Sequence, residues 1–469
     1  MFAILFVAII QFIKNPNTFH RLNQNKLVLL PLLLWLTLFT IGLMQGNISE
    51  GMNELKTLIP FAFAPFLFLA FPRLHLRMIW YGFILGVFIS ILGSSLYAAL
   101  HYPLPDPRTA SIFISHIRLS LFAALALYLL FQLELPFKKG LIFIFSICLL
   151  AFLVLTATIS GWIFLLITAL VHLSFKHKIS IVVVAILIPS LFTTFAVWKY
   201  TQLNATESTG NTLATTINGI PYDYAGPSHQ TENGYFIFQN IQENELKQAW
   251  FNRTQTSTDS KDQRNQTLYS TLVRYLTSKN LTKDSLGVYS LNEDDLHNIQ
   301  LGYTNVNEPT RSPLERRYYQ VIYELQVFID HGNASGHSLF QRLHYYRAAN
   351  HIIRSSFPLG VGIGNVKSQY NQAYLATKSN IDANHQHAVH NQFLSYLISG
   401  GIAALLLFIG YFVFAWREGS KMGLFEASIT KVFLVLAFVS CLSEDTLTTQ
   451  PGVAFFAVFT AVLFTRRNN

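Results

Sequence analysis

The sequence predicts an all-α polytopic membrane protein with one large water-facing insert. Three observations carry that reading. Of its 469 residues, 51% are hydrophobic and only 12% charged, and the mean hydropathy is +0.36. The apolar residues gather in long unbroken runs, more of them than a soluble chain of this size needs. A polar segment, roughly residues 201–389, separates an N-terminal set of runs from a C-terminal set. Backbone polar groups in lipid must be satisfied within their own segment, so the runs are expected to be helices.

Eleven apolar stretches are visible: 1–13, 27–45, 57–72, 78–100, 114–133, 140–157, 160–175, 179–200, 391–416, 428–442 and 452–465. Several fall short of the ~20 residues of a comfortable span. Met1–Ile13 lacks a basic leader region and a small-residue cleavage site, so it reads as a short first span or the remnant of one. The runs 140–157 and 160–175 are expected to join at a tight turn at Ser160-Gly161. Residues 1–200 form the N-terminal transmembrane helices, 201–389 the loop domain, and 390–469 the C-terminal transmembrane helices. No internal repeat is visible.

Charge sets the orientation. If the insert faces outward, the inward links 14–26, 73–77, 134–139, 176–178, 417–427 and the C-terminal tail each carry at least two basic residues. The short outward links hold only Lys56 and Arg108. That asymmetry follows the positive-inside rule. It also absorbs much of the +9 net charge, which argues against nucleic acid as a partner. The two cysteines, Cys148 and Cys441, lie inside apolar runs, so neither a disulfide framework nor a cysteine metal site is expected.

Within the insert, residues 201–233 read as irregular. Helical periodicity appears near 235–252, 265–278, 293–300, 313–331 and 338–355. The segment from Ser290 to Asp294 resembles a helix cap with acidic first-turn residues, and Pro313 suits a helix start. Pro358 and the run Gly360-x-Gly362-x-Gly364 end the last helix. No strand precedes that run, so a dinucleotide-binding reading is poor and a tight turn is expected.

Five groups of residues have chemistry to offer. Arg342, Tyr345 and Tyr346 are expected on one side of a helix, and Arg347 pairs with His351 at i,i+4. Arginine forks suit phosphate and pyrophosphate oxygens, although any one of them is as easily a solvated surface residue. His385, His387 and His390 invite a metal reading, but only Asp382 stands nearby to complete a site, so no metal is expected. His390, beside Asn391 where the chain re-enters the bilayer, is suited to general-base work because imidazole titrates near neutrality. Backbone-bonded interfacial histidine is the plainer reading for His385 and His387. Arg118, near Ser115 and Ser120 at the outer end of a span, sits where charge is costly and therefore paired or functional. Lys56 is similar but weaker, since a lysine readily snorkels. Glu444 and Asp445, beside Ser443 between the last spans, could pair with Arg342 or Arg347 or orient His390. All five groups map to one side of the membrane.

Taken together, Arg342-x-x-x-Tyr346-x-x-Ala349, Pro358-x-Gly360-x-Gly362-x-Gly364, His390-Asn391-x-Phe393-Leu394 and Gly400-Gly401-Ile402 resemble the O-antigen ligase/polymerase superfamily of bacterial inner membranes. The likeness covers the whole chain in topology and concentrates at 110–165 and 340–450. It implies a GT-C-like, metal-independent glycosyltransferase fold with about a dozen spans and no cofactor. It implies transfer of a glycan from an undecaprenyl-pyrophosphate carrier to an acceptor at the periplasmic face: lipid A–core, another glycan, or a protein. By position, His390 matches the family's proposed base, and Arg342 and Arg118 its pyrophosphate-facing arginines. Lys56 and Arg347 are added donor-site candidates, with Asn391, Glu444 and Tyr346 in support. The chain departs at Ser160-Gly161-Trp162, where the family often has Ser-Arg-Gly. Two readings from other classes compete. A lipid-linked glycan transporter would place charges mid-span and show inverted repeats. A receptor would leave Arg118 and His390 unexplained.

Overall fold

The computed structural model describes residues 26–70, 76–101, 107–134, 138–156, 158–177, 213–223, 230–331 and 338–464. The apolar runs 1–13 and 179–200 lie outside the described residues. The molecule is mostly helical, and its apolar helices make it a multi-pass membrane protein.

The N-terminal set comprises α1 (Leu29–Met44), α2 (Ile48–Ala70), α3 (Leu76–Leu100), α4 (His116–Gln132), α5 (Lys138–Leu155) and α6 (Ile159–His177). The insert contributes a two-stranded hairpin, β1 (Thr231–Glu232) and β2 (Tyr235–Phe236). Its helices are α7 (Glu243–Thr254), α8 (Leu268–Ser278), α9 (Ser285–Tyr289), α10 (Glu293–Gln300), α11 (Pro313–His331), α12 (Ser338–Ser356) and α13 (Val366–Ala376). The chain closes with α14 (Gln392–Gly419), α15 (Leu424–Ser443) and α16 (Gln450–Phe464). Residues 78–100 of α3, together with α5, α14 and α15, are long and apolar enough to cross a membrane. Shorter apolar helices, α1, α4, α6 and α16, accompany them.

The centre of the bundle is α4. It packs on α3, α5, α6 and α15, and it is buried almost all round from Leu119 to Leu130. A helix apolar on every face belongs inside such a bundle. On one side α14 lies against α1, whose buried Pro31, Leu34, Leu38 and Gly42 form a single stripe. Pro60 and Pro65 fall inside α2, which packs on α16. Aromatic rings fill the space between: Phe61, Tyr411, Phe433, Phe455, Phe456 and Phe459 meet edge-on or offset. The outer faces of α3 and α5 leave Leu85, Ile89, Leu96, Phe143 and Ile144 exposed, as helices facing lipid should.

The insert has two cores. Trp250, Leu272, Tyr275, Leu276, Val288, Leu296 and Ile299 form one, among α7–α10. There α10 opens on a capping box between Asn292, inside the segment whose sequence suggested a cap, and Asp295, just beyond it. Tyr345, Ala348, Ala349 and Ile352 of α12 pack on Tyr370, Ala373 and Tyr374 of α13 to form the second, which takes in Val389 and Ile398. Helix α13 is absent from the sequence-based expectation. A second difference concerns Gly161. The turn expected there falls between Leu155 and Ile159, and Gly161 lies inside α6, where its missing Cβ lets Leu153 and Ser120 approach.

The glycine run joins insert to bundle. Within α14 the backbone breaks at Gly401 (φ 62°, ψ −162°). Ile402 N donates to Pro358 O at 2.9 Å, and Val361 N donates to Ile398 O at 2.8 Å. The turn at 357–361 thus takes up the two groups that the broken helix leaves unpaired, which lipid cannot do. Gly360 has φ +78°, and a Cβ there would stand 2.5 Å from Gly401 N. Farther along, Asn365 Nδ2 donates to Gln45 O at 3.0 Å, and its Oδ1 accepts from Asn47 Nδ2 at 2.8 Å. The turn between α1 and α2 is thereby pinned to the same element.

Candidate functional site

Helix ends meet where the insert enters the bundle. His390 precedes α14, held on three sides. Behind it, Val389 N donates to Tyr370 Oη at 3.0 Å. Ahead, Asn391 caps α14: its Oδ1 accepts from Phe393 N and Leu394 N, both at 3.1 Å. The Asn391 Nδ2 donates to Leu442 O at 3.1 Å, which ties the cap to the end of α15. Beside it, the Tyr345 ring meets the imidazole edge-on at 5.7 Å.

The end of α15 supplies two carboxylates. Glu444 leaves the helix with extended backbone (φ −146°, ψ 154°). Successive side chains on extended backbone point opposite ways. Glu444 accordingly meets Arg342, whose Nη2 donates to Oε1 at 3.3 Å and whose Nη1 donates to Ser443 O at 2.8 Å. Asp445 turns to His390, with Oδ2 at 3.6 Å from Nδ1. Its Oδ1 accepts from Ser395 Oγ at 2.9 Å and from Asn391 N at 3.1 Å.

These surroundings set the charge states. Burial pushes the His390 imidazole below its ordinary pKa; Glu444 pulls it back up, while Arg342, His387 and Arg118 push it lower. Burial raises the Asp445 carboxyl to about 7, with Glu444 adding to the rise and Ser395, Asn391 N and Arg118 opposing it. Arg118, in the first turn of α4, is therefore felt at both groups. Its Nε is buried and has no hydrogen-bond partner among the described residues. A guanidinium edge left unpaired in a buried place is ready for an anionic acceptor.

The structure brings His390, Asn391, Arg118, Arg342 and Glu444 together. It sets Asp445 and Tyr345, named with their neighbours from the sequence, against His390, and it adds Ser395 and Tyr370. Two adjacent residues divide otherwise than the sequence suggested: Tyr345 is buried against His390, whereas Tyr346 is exposed on the other flank of α12. Arg347 is exposed on that flank too, and Lys56 is exposed on α2. His385 offers its carbonyl to Tyr345 Oη at 2.9 Å and His387 its carbonyl to Tyr374 Oη at 2.5 Å, so both serve the packing of this corner. Among the described residues no group of three or more His, Cys, Asp or Glu is placed to hold a metal ion.

Residues 289–409 match the family model described as O-antigen ligase. The matched stretch contains Arg342, the glycine run, His390–Asn391 and the break at Gly401. Arg118, Glu444 and Asp445 lie outside it and reach the same place through the fold. No curated protein matches the chain significantly.

Proposed function

From the premise that this membrane protein carries an O-antigen ligase domain, we propose that it is a periplasm-facing glycosyltransferase acting on an undecaprenyl-pyrophosphate-linked glycan. The observation that carries the reading is the pairing of a neutral-leaning His390, backed by Asp445, with the unpaired buried Nε of Arg118. One face takes a proton; the other takes developing anionic charge.

The step is a direct displacement with inversion. An acceptor hydroxyl oxygen attacks the anomeric carbon, and its proton passes to His390. The bond from the anomeric carbon to the pyrophosphate oxygen breaks, and its electron pair leaves with the pyrophosphate. Arg118 and Arg342 stabilise that charge as fixed cations. Asp445 holds the imidazole through Nδ1, which leaves Nε2 as the base and supports the imidazolium that forms. Glu444 fixes the Arg342 fork. The isoprenoid tail runs along lipid-facing helices. Ligation to lipid A–core is the favoured outcome; polymerisation of a second lipid-linked glycan and transfer to protein use the same chemistry.

The test is a glycan profile of cells lacking the protein, complemented with wild type or His390→Ala. The proposal expects full-length lipid-linked polymer to accumulate and the lipopolysaccharide ladder to vanish, with His390→Ala failing to restore it. A general base of this kind contributes about 10²–10⁴-fold. Single-repeat glycan on lipid A without long chains would assign the protein as a polymerase. Full complementation by His390→Ala would sink the assignment of the base.

A further inference from the structure

One face of α12 is turned away from the reaction. Leu343, Tyr346, Arg347, Asn350, His351 and Arg354 are all exposed, opposite the buried Tyr345, Ala348 and Ile352. Arg347 and Arg354 are seven residues apart and so nearly in line. Just past the helix, Phe357 and Leu359 are 62% and 53% exposed. Two large apolar side chains flanking a turn, beneath a basic stripe, need an apolar neighbour below and an anionic one above.

The depth of the turn is fixed by its hydrogen bonds. Pro358 O and Val361 N are bonded to the break in α14, at Ile402 and Ile398. From Gly401 to Arg417 is sixteen positions of helix, about 24 Å. A bilayer core of ~30 Å that begins near Arg417 therefore ends about one helical turn beyond Gly401. Phe357 and Leu359 sit just inside that boundary. Arg354 stands less than one turn above them, and Arg347 about 10 Å higher still, on the order of headgroup depth.

We propose that this face is a membrane-surface anchor: Phe357 and Leu359 enter the acyl chains of the leaflet on the insert's side, and Arg354 and Arg347 bind the phosphates of anionic phospholipids. The occupant follows from the order of the residues along the chain, apolar at the hydrocarbon edge and basic above it. The anchor holds the foot of the insert to the lipid while the opposite face of α12 presents Arg342 and Tyr345 to His390. It needs only the multi-pass membrane reading, not the proposed transfer reaction.

The test uses the full-length protein with Cys148→Ser, leaving buried Cys441 in place, in nanodiscs that contain phosphatidylcholine and phosphatidylglycerol. Nitroxide labels are attached at Phe357→Cys, Leu359→Cys and Asn350→Cys. Labels at 357 and 359 are expected to meet oxygen in preference to a water-soluble nickel chelate, and the label at 350 the reverse. Preference for nickel at 357 and 359 places the turn in water and overturns the proposal. Shielding from both reagents would show that protein, such as a second copy, covers the turn, and also overturns it. For the basic stripe, spin-labelled phosphatidylglycerol should associate in preference to spin-labelled phosphatidylcholine. Arg347→Gln with Arg354→Gln should lower that preference on the order of tenfold, each arginine near an anionic surface being worth severalfold. Arg347→Lys with Arg354→Lys should keep most of it. An unchanged preference in the glutamine pair would remove the arginines from lipid binding.

Discussion

At the scale of single residues, charge placement decides the chemistry. In the proposed transfer, His390 must be neutral and Asp445 ionised for a proton to be taken from the acceptor. Asp445, raised to about 7, binds a proton as pH falls through neutrality, so activity should fall there first. His390, lowered by burial, protonates only at more acidic pH. Asp445→Asn should therefore reduce kcat about 10²-fold or more and remove the step near 7, leaving the acid limb at lower pH. A pH–rate profile of wild type and variant measures both; an unchanged limb would exclude Asp445 from the proton path. Arg118→Gln should lower kcat about 10²-fold with little change in thermal stability, because its buried Nε has no hydrogen bond to lose among the described residues. His390 and Arg118 stood out as candidates in the sequence because each breaks an apolar or re-entry pattern, and Arg342 because its helical spacing and its fork suit an anion. The choice of Asp445 over Glu444 as the imidazole's partner was not, since it depends on extended backbone at one residue. Nor was Tyr345 over Tyr346, which depends on the rotation of α12.

At the scale of elements, unbroken apolar runs located the described bundle helices with ends shifted by a few residues, except α2, which begins at Ile48, nine residues before its run and inside the expected outward link 46–56. Helix α13 escaped because its apolar residues are few and form no unbroken run. The spacing Tyr370, Ala373, Tyr374 was the signal available. The glycine run was rightly expected to be a turn, but its attachment to α14 could not be read, because backbone bonding between distant segments leaves no periodic trace. Gly401→Ala tests it. A Cβ there would lie 2.2 Å from Pro358 O, on a backbone with φ +62°. The strain alone is about 1–3 kcal/mol. The melting temperature in detergent should drop by several degrees. Gly140→Ala in α5 meets nothing within 4 Å and should leave it unchanged or raise it, Gly costing roughly 0.5–1 kcal/mol relative to Ala in a helix.

At the scale of the whole molecule, the proposed orientation rests on the basic residues of the sequence links expected to face inward. Ile217 is 74% exposed on the insert, and Lys421 is exposed between α14 and α15. A cysteine at 217 should react with a membrane-impermeant maleimide in intact cells, and one at 421 only after the inner membrane is opened. The opposite pattern would invert the molecule and move the reaction to the other compartment.

The hydrogen bonds between Pro358, Val361 and α14 bear on how such proteins can be recombined. The part of the insert around Trp250 has its own core and, among the described residues, lends no backbone group to the broken helix. The stretch from Ser356 to Asn365 lends two. Domains exchanged between chains should therefore be spliced before α12, so that the foot travels with its own helix break. A splice placed between α13 and α14 would pair a foreign plug with a native break and leave Ile398 and Ile402 without partners in the bilayer.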